Sequence, residues 1–245
     1  MENFNYTING AVDTAENDEV FRVIGTSVGE TIYADNRTFQ SSLSINGKGG
    51  DDFIEIRDGT TLETLTVRGG TGRDQLIVSD DNPSLQADKA LLLGGKGGDL
   101  LRGGTYLSER LKGGAGNDHL SFYGMHDNSD GDVLVGGRGA DVFVFLGNTG
   151  NRKILEDGQV NRITDFSSND FIGLNSFLGI TADDFSSGAV PNGDGNGDAN
   201  FGLIYDQNTG ILSYRAVKIA ALGAGTELRE DQLIFDYETP DFFAL

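Results

Sequence analysis

GGKGGDLLR, residues 94–102, is the stretch on which the reading of this chain turns. Its frame recurs as GKGGDDFIE (47–55), GGTGRDQLI (69–77), GGAGNDHLS (113–121) and GGRGADVFV (136–144). Each copy has Gly at positions one and four, Asp at position six and an apolar residue at position eight. Those eighth residues are Ile54, Leu76, Leu101, Leu120 and Phe143. A weaker copy, GTSVGETIY (25–33), keeps the frame with Val28 at position four and Glu30 at position six. Isolated turns also favour Gly and Asp. They do not repeat a nine-position frame with an apolar eighth member, and fixed-period self-similarity is the mark of a solenoid.

These motifs resemble the RTX (repeats-in-toxin, hemolysin-type) nonapeptide G-G-x-G-x-D-x-U-x. The resemblance covers residues 25–146, half of the chain. It implies an all-β fold, a parallel β-roll in which a Gly-rich turn leads into a short strand and two nonapeptides complete one coil. The repeats start at 25, 47, 69, 94, 113 and 136, so every gap is one 18-residue coil plus a short insertion. All good motifs then stack on one edge of about six coils, a core roughly 25–30 Å long at one strand spacing per coil. Between them lie half-coils such as ADNRTFQSSLSIN, IRDGTTLETLTVR and GGTYLSERLK. Most end in apolar residues two apart (Leu43 and Ile45, Leu65 and Val67), the alternation of a half-buried strand. The expectation is a lopsided roll, with one motif edge and one edge of variable loops.

Calcium takes six to eight hard oxygen ligands, many of them backbone carbonyls. Turns that aim carbonyls at an ion need unusual φ values, which Gly supplies, and a short carboxylate adds charge without leaving the turn. The metal candidates are therefore Asp52, Asp74, Asp99, Asp118 and Asp141. By the resemblance, carbonyls at positions two and four complete the sites: Gly50, Gly70, Gly72, Gly95, Gly97, Gly114, Gly116, Gly137 and Gly139. Ions shared by successive turns number four, with a fifth if Glu30 takes part. The alternating oxygen side chains of Asp194, Asn196, Asp198 and Asn200 begin like an EF-hand loop, but Asp206 falls one residue beyond the required twelfth position. A polar loop is the preferred reading there.

Composition narrows the function. The 245 residues carry a formal charge of −20, with 37 Gly, 27 Asp, 11 Glu, no Cys and no Trp. That charge argues against a nucleic-acid binder, and no apolar run is long enough for a membrane-spanning helix. Without Cys there is neither a disulfide framework nor a thiolate metal site. The loops lack G-K-[ST], and acidic turns repel phosphate. Gly25-Thr-Ser27-Val-Gly29 matches a nucleophile elbow, but a strand pattern follows where a helix is needed. His119 and His126 are too few for a zinc protease site, and His119, at position seven, is expected on the surface. The chain is expected not to be an enzyme.

The chain divides into an N-terminal lead or cap (1–24), the roll (25–146), a C-terminal β-rich capping region (147–236) and a tail (237–245). NRITDFSSNDFIGL (161–174) resembles the segment that closes RTX rolls. GLIYDQNTGILSYRA (202–216) reads as a hairpin, VKIAAL as a strand, and TELREDQLIF (226–235) as a short helix started by Thr226. The first twenty residues lack a secretory signal. The terminal Asp241-Phe-Phe-Ala-Leu245 resembles the tail of proteins exported by bacterial type I secretion machinery. The reading is a secreted or cell-surface protein that folds on binding extracellular calcium. The alternatives are a calcium-dependent module for extracellular polysaccharide, using Arg57, Arg68, Tyr106, Arg110 and Tyr123 of the variable edge, or the export half of a larger enzyme.

Overall fold

The computed structural model describes residues 6–9, 13–17, 20–34, 42–57, 64–78, 89–104, 109–122, 131–146, 160–175, 180–188, 202–214 and 217–237. The architecture is all-β. The strands are β1 (Tyr6–Asn9), β2 (Asp13–Asn17), β3 (Val20–Ile24), β4 (Thr31–Ala34), β5 (Ser42–Gly49), β6 (Phe53–Ile56), β7 (Thr64–Thr71) and β8 (Gln75–Val78). They continue with β9 (Lys89–Lys96), β10 (Leu100–Arg102), β11 (Glu109–Ala115), β12 (His119–Phe122), β13 (Val133–Arg138), β14 (Val142–Phe145), β15 (Asn161–Ile163) and β16 (Phe171–Asn175). The capping strands are β17 (Phe185–Gly188), β18 (Leu203–Asp206), β19 (Ile211–Tyr214), β20 (Val217–Ala221) and β21 (Leu233–Tyr237).

From β3 to β16, odd and even strands separate into two sheets, and the chain winds from one to the other. A nine-stranded sheet runs β1-β4-β6-β8-β10-β12-β14-β16-β21, and a twelve-stranded sheet runs β17-β18-β19-β20-β15-β13-β11-β9-β7-β5-β3-β2. Six successive pairs, β3/β4 to β13/β14, form the parallel coils of a β-roll. Their register is held by the apolar pattern. The eighth residues of the repeats align across the smaller sheet, Ile32 to Ile54, Ile54 to Leu76, Leu76 to Leu101, Leu101 to Leu120 and Leu120 to Phe143. Facing them across the core, Ile45, Val67, Leu92, Leu111 and Leu134 form a second row. All of these are buried. A one-residue slip would expose an entire row, so the pattern fixes the stacking.

The ends of the roll depart from it. β1 and β2 run antiparallel to β4 and β3, ending both sheets at the N-terminal side. At the other end β15 and β16 add a further coil without the glycine frame, joined to β20 and β21. The expected hairpin forms between β18 and β19, and β20 is the expected strand beside it. The expected helix at 226–235 does not form. Residues Glu230–Gln232 make one 3-10 turn, Thr226 instead donates its hydroxyl to Leu222 O at 2.9 Å, and the chain goes directly into β21. Leu233 finds a sheet partner in Ile172, and pairing an open edge outweighs a short helix of weak propensity. The tail 241–245 and the 194–200 loop lie outside the described residues. Among the described residues no helix is long and apolar enough to cross a membrane.

Candidate metal centre

The glycine motif is less of a turn than its sequence suggests. In GGKGGDLLR the first three residues complete β9, only Gly97 and Gly98 bend, and Asp99 leads into β10. Position two lies within the strand and position four in the bend, and both glycines hold positive φ, 122° at Gly95 and 123° at Gly97. The remaining candidates Gly50, Gly70, Gly72, Gly114, Gly116, Gly137 and Gly139 share that region, at φ between 96° and 139°. Lys48, at position two of the first good repeat, is forced there too, at φ 74°. Glycine is needed for a second reason. A Cβ on Gly95 or Gly97 would overlap the carbonyl oxygen of Gly70 or Gly72 in the neighbouring coil. Carbonyls of positions two and four thus lie packed between successive turns along one edge.

The five predicted aspartates are brought together on that edge, all at most 1% exposed. They are linked as a ladder, each coil's sixth amide donating to the next coil's carboxylate. Asp52 N reaches Asp74 Oδ1 at 3.0 Å, Asp74 N reaches Asp99 Oδ1 at 2.9 Å, and Asp99 N reaches Asp118 Oδ1 at 2.8 Å. Asp118 N continues to Asp141 Oδ1 at 2.9 Å. The ladder extends one step beyond the good motifs at each end. Glu30 N donates to Asp52 Oδ1 at 2.7 Å, and Asp141 N to Asp170 Oδ1 at 3.0 Å.

Each carboxylate's second oxygen has a different environment. Asp52, Asp74, Asp99 and Asp118 turn Oδ2 onto the first glycine of their own repeat, where a Cβ on Gly47, Gly69, Gly94 or Gly113 would overlap it. That explains the glycine at position one. These four oxygens, and Glu30 Oε2, are buried without a hydrogen-bond partner. At the ladder ends the side chains also accept bonds from their own turn. Glu30 Oε1 accepts the Thr26 amide at 3.0 Å and the Thr26 hydroxyl. Asp170 Oδ2 accepts the Ser167 amide at 2.8 Å. Asp165 accepts the amides of Gly136 and Gly137 at 3.0 and 2.9 Å, covering the last glycine turn.

Burial is the largest influence on the five repeat aspartates and raises the pKa of each, neighbouring carboxylates raise them further, and the donated amides oppose both. Asp74 and Asp118 are pushed up to about 7, Asp99 and Asp141 to about 6, and Asp52 is raised likewise. A row of acids held this way favours protons or cations. Among the described residues no three carboxylate or imidazole side chains converge on one point. An ion on this edge would therefore draw most of its oxygens from backbone carbonyls. Unpartnered carboxylate oxygens beside packed glycine carbonyls are a hard-oxygen donor set of the kind calcium accepts.

Several residues were not anticipated. The opposite edge is more than variable loops: Glu109 N donates to Asp132 Oδ1 at 2.9 Å and Asp132 N to Asn161 Oδ1 at 2.8 Å, a short second ladder. Glu109 Oε2 accepts the Gly104 amide at 2.8 Å, and a Cβ on Gly103 would overlap it, so Gly103-Gly104 copies the glycine–carboxylate contact with an added residue. That insertion hid it from a fixed nine-residue frame. Asp170 was legible only as Asp-Phe-Ile, positions six to eight with the glycines gone. His119 is not a free surface residue: its Nδ1 meets the Tyr237 hydroxyl from the capping strand β21. Burial, then the positive charge of Arg73, holds the imidazole's pKa below its ordinary value. Of the residues expected on a variable edge, Arg68 and Arg110 lie on strands of the larger sheet. Arg57 stacks 3.6 Å over the Tyr33 ring and its Nε is 2.8 Å from Glu55, while Tyr106 and Tyr123 lie outside the described residues. No protein-family model matches the chain, and no curated protein matches it either.

Proposed function

We propose that this chain is a secreted calcium-binding β-roll whose folding is switched on by extracellular calcium. One observation carries the reading: a single-edge row of buried carboxylates whose second oxygens have no partner and rest on glycine cradles. A fold with no ligand to supply would not bury several charges in line, because each unpaired buried carboxylate is expensive. Calcium offsets that penalty, and an ion that binds the roll but not the unfolded chain draws the equilibrium toward the roll. Four interior sites between Asp52 and Asp141 are proposed, with Glu30 completing a fifth. Four divalent ions would offset eight of the 20 excess negative charges. Affinity in the weak range of extracellular modules, about 10⁻⁴–10⁻³ M, suits such a switch.

Export through type I secretion machinery fits this chemistry. A strongly acidic chain, poor in large apolar residues, stays open where calcium is scarce, and it closes outside. The role that follows is structural or surface-interacting, with no catalytic step. Circular dichroism during a calcium titration, with magnesium as control, tests the reading. The expected result is a cooperative gain of β-structure with calcium alone. Complete β-structure in excess chelator, unchanged by calcium, would overturn it.

A further inference from the structure

The cations of this acidic protein are not scattered. Nine of its 18 Lys and Arg lie on seven neighbouring strands of the larger sheet, β3, β5, β7, β9, β11, β13 and β15. The only carboxylate in those strands is Glu109, which is buried. Register puts the cations in line. Arg22, Arg110 and Arg162 fall in one lateral row, with Ser44, Thr66 and Leu91 between the first two and Val133 between the last two, and Arg68 and Lys112 occupy the row two residues on. All five cations are exposed, and none makes an ion pair or side-chain hydrogen bond with a described residue. They recur on every second strand, about 10 Å apart, across a face about 30 Å long.

We propose that this face binds an extended acidic polysaccharide. A row of cations with no ionic partner among the described residues, on a chain of charge −20, is a segregated, complementary surface, and it selects a sparse polyanion. Duplex DNA, with one charge per about 1.7 Å, would be repelled by the rest of the molecule faster than five cations could hold it. No outward position of these strands holds an aromatic residue, so single-stranded nucleic acid has no stacking platform. A polyuronate carries one carboxylate per sugar. Its carboxylates would meet the arginines, and its ring faces would lie on the half-buried Leu91 and Val133 side chains. The flat face needs only the folded roll, so it is independent of the ion row at the strand ends.

The test uses the full chain, calcium-loaded, and a short labelled linear oligouronate, with binding read by fluorescence anisotropy over a salt series. A neutral oligosaccharide of the same linkage, duplex DNA and anionic lipid vesicles are parallel probes. The oligouronate should bind, weaken with salt and outcompete the other three. Replacing Arg68→Ser, Arg110→Ser and Lys112→Ser together should weaken it on the order of tenfold, with the circular dichroism spectrum and calcium midpoint unchanged. The pair Arg22→Ser and Arg162→Ser tests the same row through other strands, and Arg229→Ser, in the cap, should leave binding intact. Equal binding by wild type and both sets of variants would overturn the proposal, as would preference for the neutral sugar, DNA or vesicles. A chain that folds on calcium but ignores the oligouronate refutes this inference alone. A chain that binds the oligouronate but ignores calcium refutes only the calcium reading.

Discussion

Asp99→Asn should change the stability of this protein in opposite directions with and without calcium. Asn keeps an oxygen for the Asp74 amide, so the 2.9 Å ladder bond survives. What is lost is the charge. Burial raises Asp99 from an ordinary 3.8 to about 6, about two pH units and therefore roughly 3 kcal/mol against the ionised form at pH 8. In chelator the variant should be more stable by up to about that amount. In calcium the balance reverses. Asp99 would serve two ions, and each site is worth about 2.7 kcal/mol when calcium exceeds its dissociation constant a hundredfold. Losing both removes roughly 5 kcal/mol, so the calcium-loaded variant should be less stable by roughly 2 kcal/mol. Urea unfolding followed by circular dichroism, in chelator and in calcium at one pH, measures both signs. If wild type is open in chelator, the variant should show a gain of β-structure there. A shift of the same sign in both buffers would refute the reasoning, because an ordinary turn aspartate has no reason to respond to calcium.

Further outcomes follow from the same ladder. In chelator, acids raised from 3.8 to between 6 and 7 stabilise the roll fully below about pH 4 and lose that contribution as pH rises through 6 to 7. The melting temperature without calcium should therefore be higher at pH 5 than at pH 8, and a flat or reversed profile would count against the buried row. Gly94→Ala puts a Cβ onto Asp99 Oδ2 and 2.7 Å from Gly113 O, so it should abolish or strongly weaken calcium-induced folding. Gly225→Ala meets nothing within 4 Å and is strained only by its φ of 80°. It should cost about 1 kcal/mol in urea unfolding and, shared over four coupled ions, raise the calcium midpoint by less than about twofold. Glu30→Gln, at a ladder end where Thr26 already donates to the carboxylate, should raise that midpoint less than Asp99→Asn in the same titration.

Much of the ladder is legible in the sequence. Gly, Asp and an apolar residue at fixed offsets are local requirements of one bend, and they survive insertions elsewhere in the coil. The position-eight residues were legible as core because a strand alternates its faces, and Ile54, Leu76, Leu101, Leu120 and Phe143 are all fully buried. Glu109, Asp132 and Asn161 were not legible. Their coils carry an extra residue between glycine and acid, or no Gly pair at all, so the frame is broken although the amide-to-carboxylate contact is kept. The Thr226 segment was misread because helix capping is judged locally, while its outcome depended on the free edge of β16.

The sequence alone determined the roll: its period, its core rows, and the edge on which the five aspartates gather. These depend on backbone conformation and side-chain alternation, which each residue carries with it. Tertiary structure alone decided the rest. Which amide meets which carboxylate is a relation between residues 19 to 29 positions apart. The unpartnered oxygens and the meeting of His119 with Tyr237 follow from that stacking. So does the basic face, since Arg22, Arg68, Arg110 and Arg162 lie far apart along the chain. Stacking the strands at a fixed spacing sums those charges into one field.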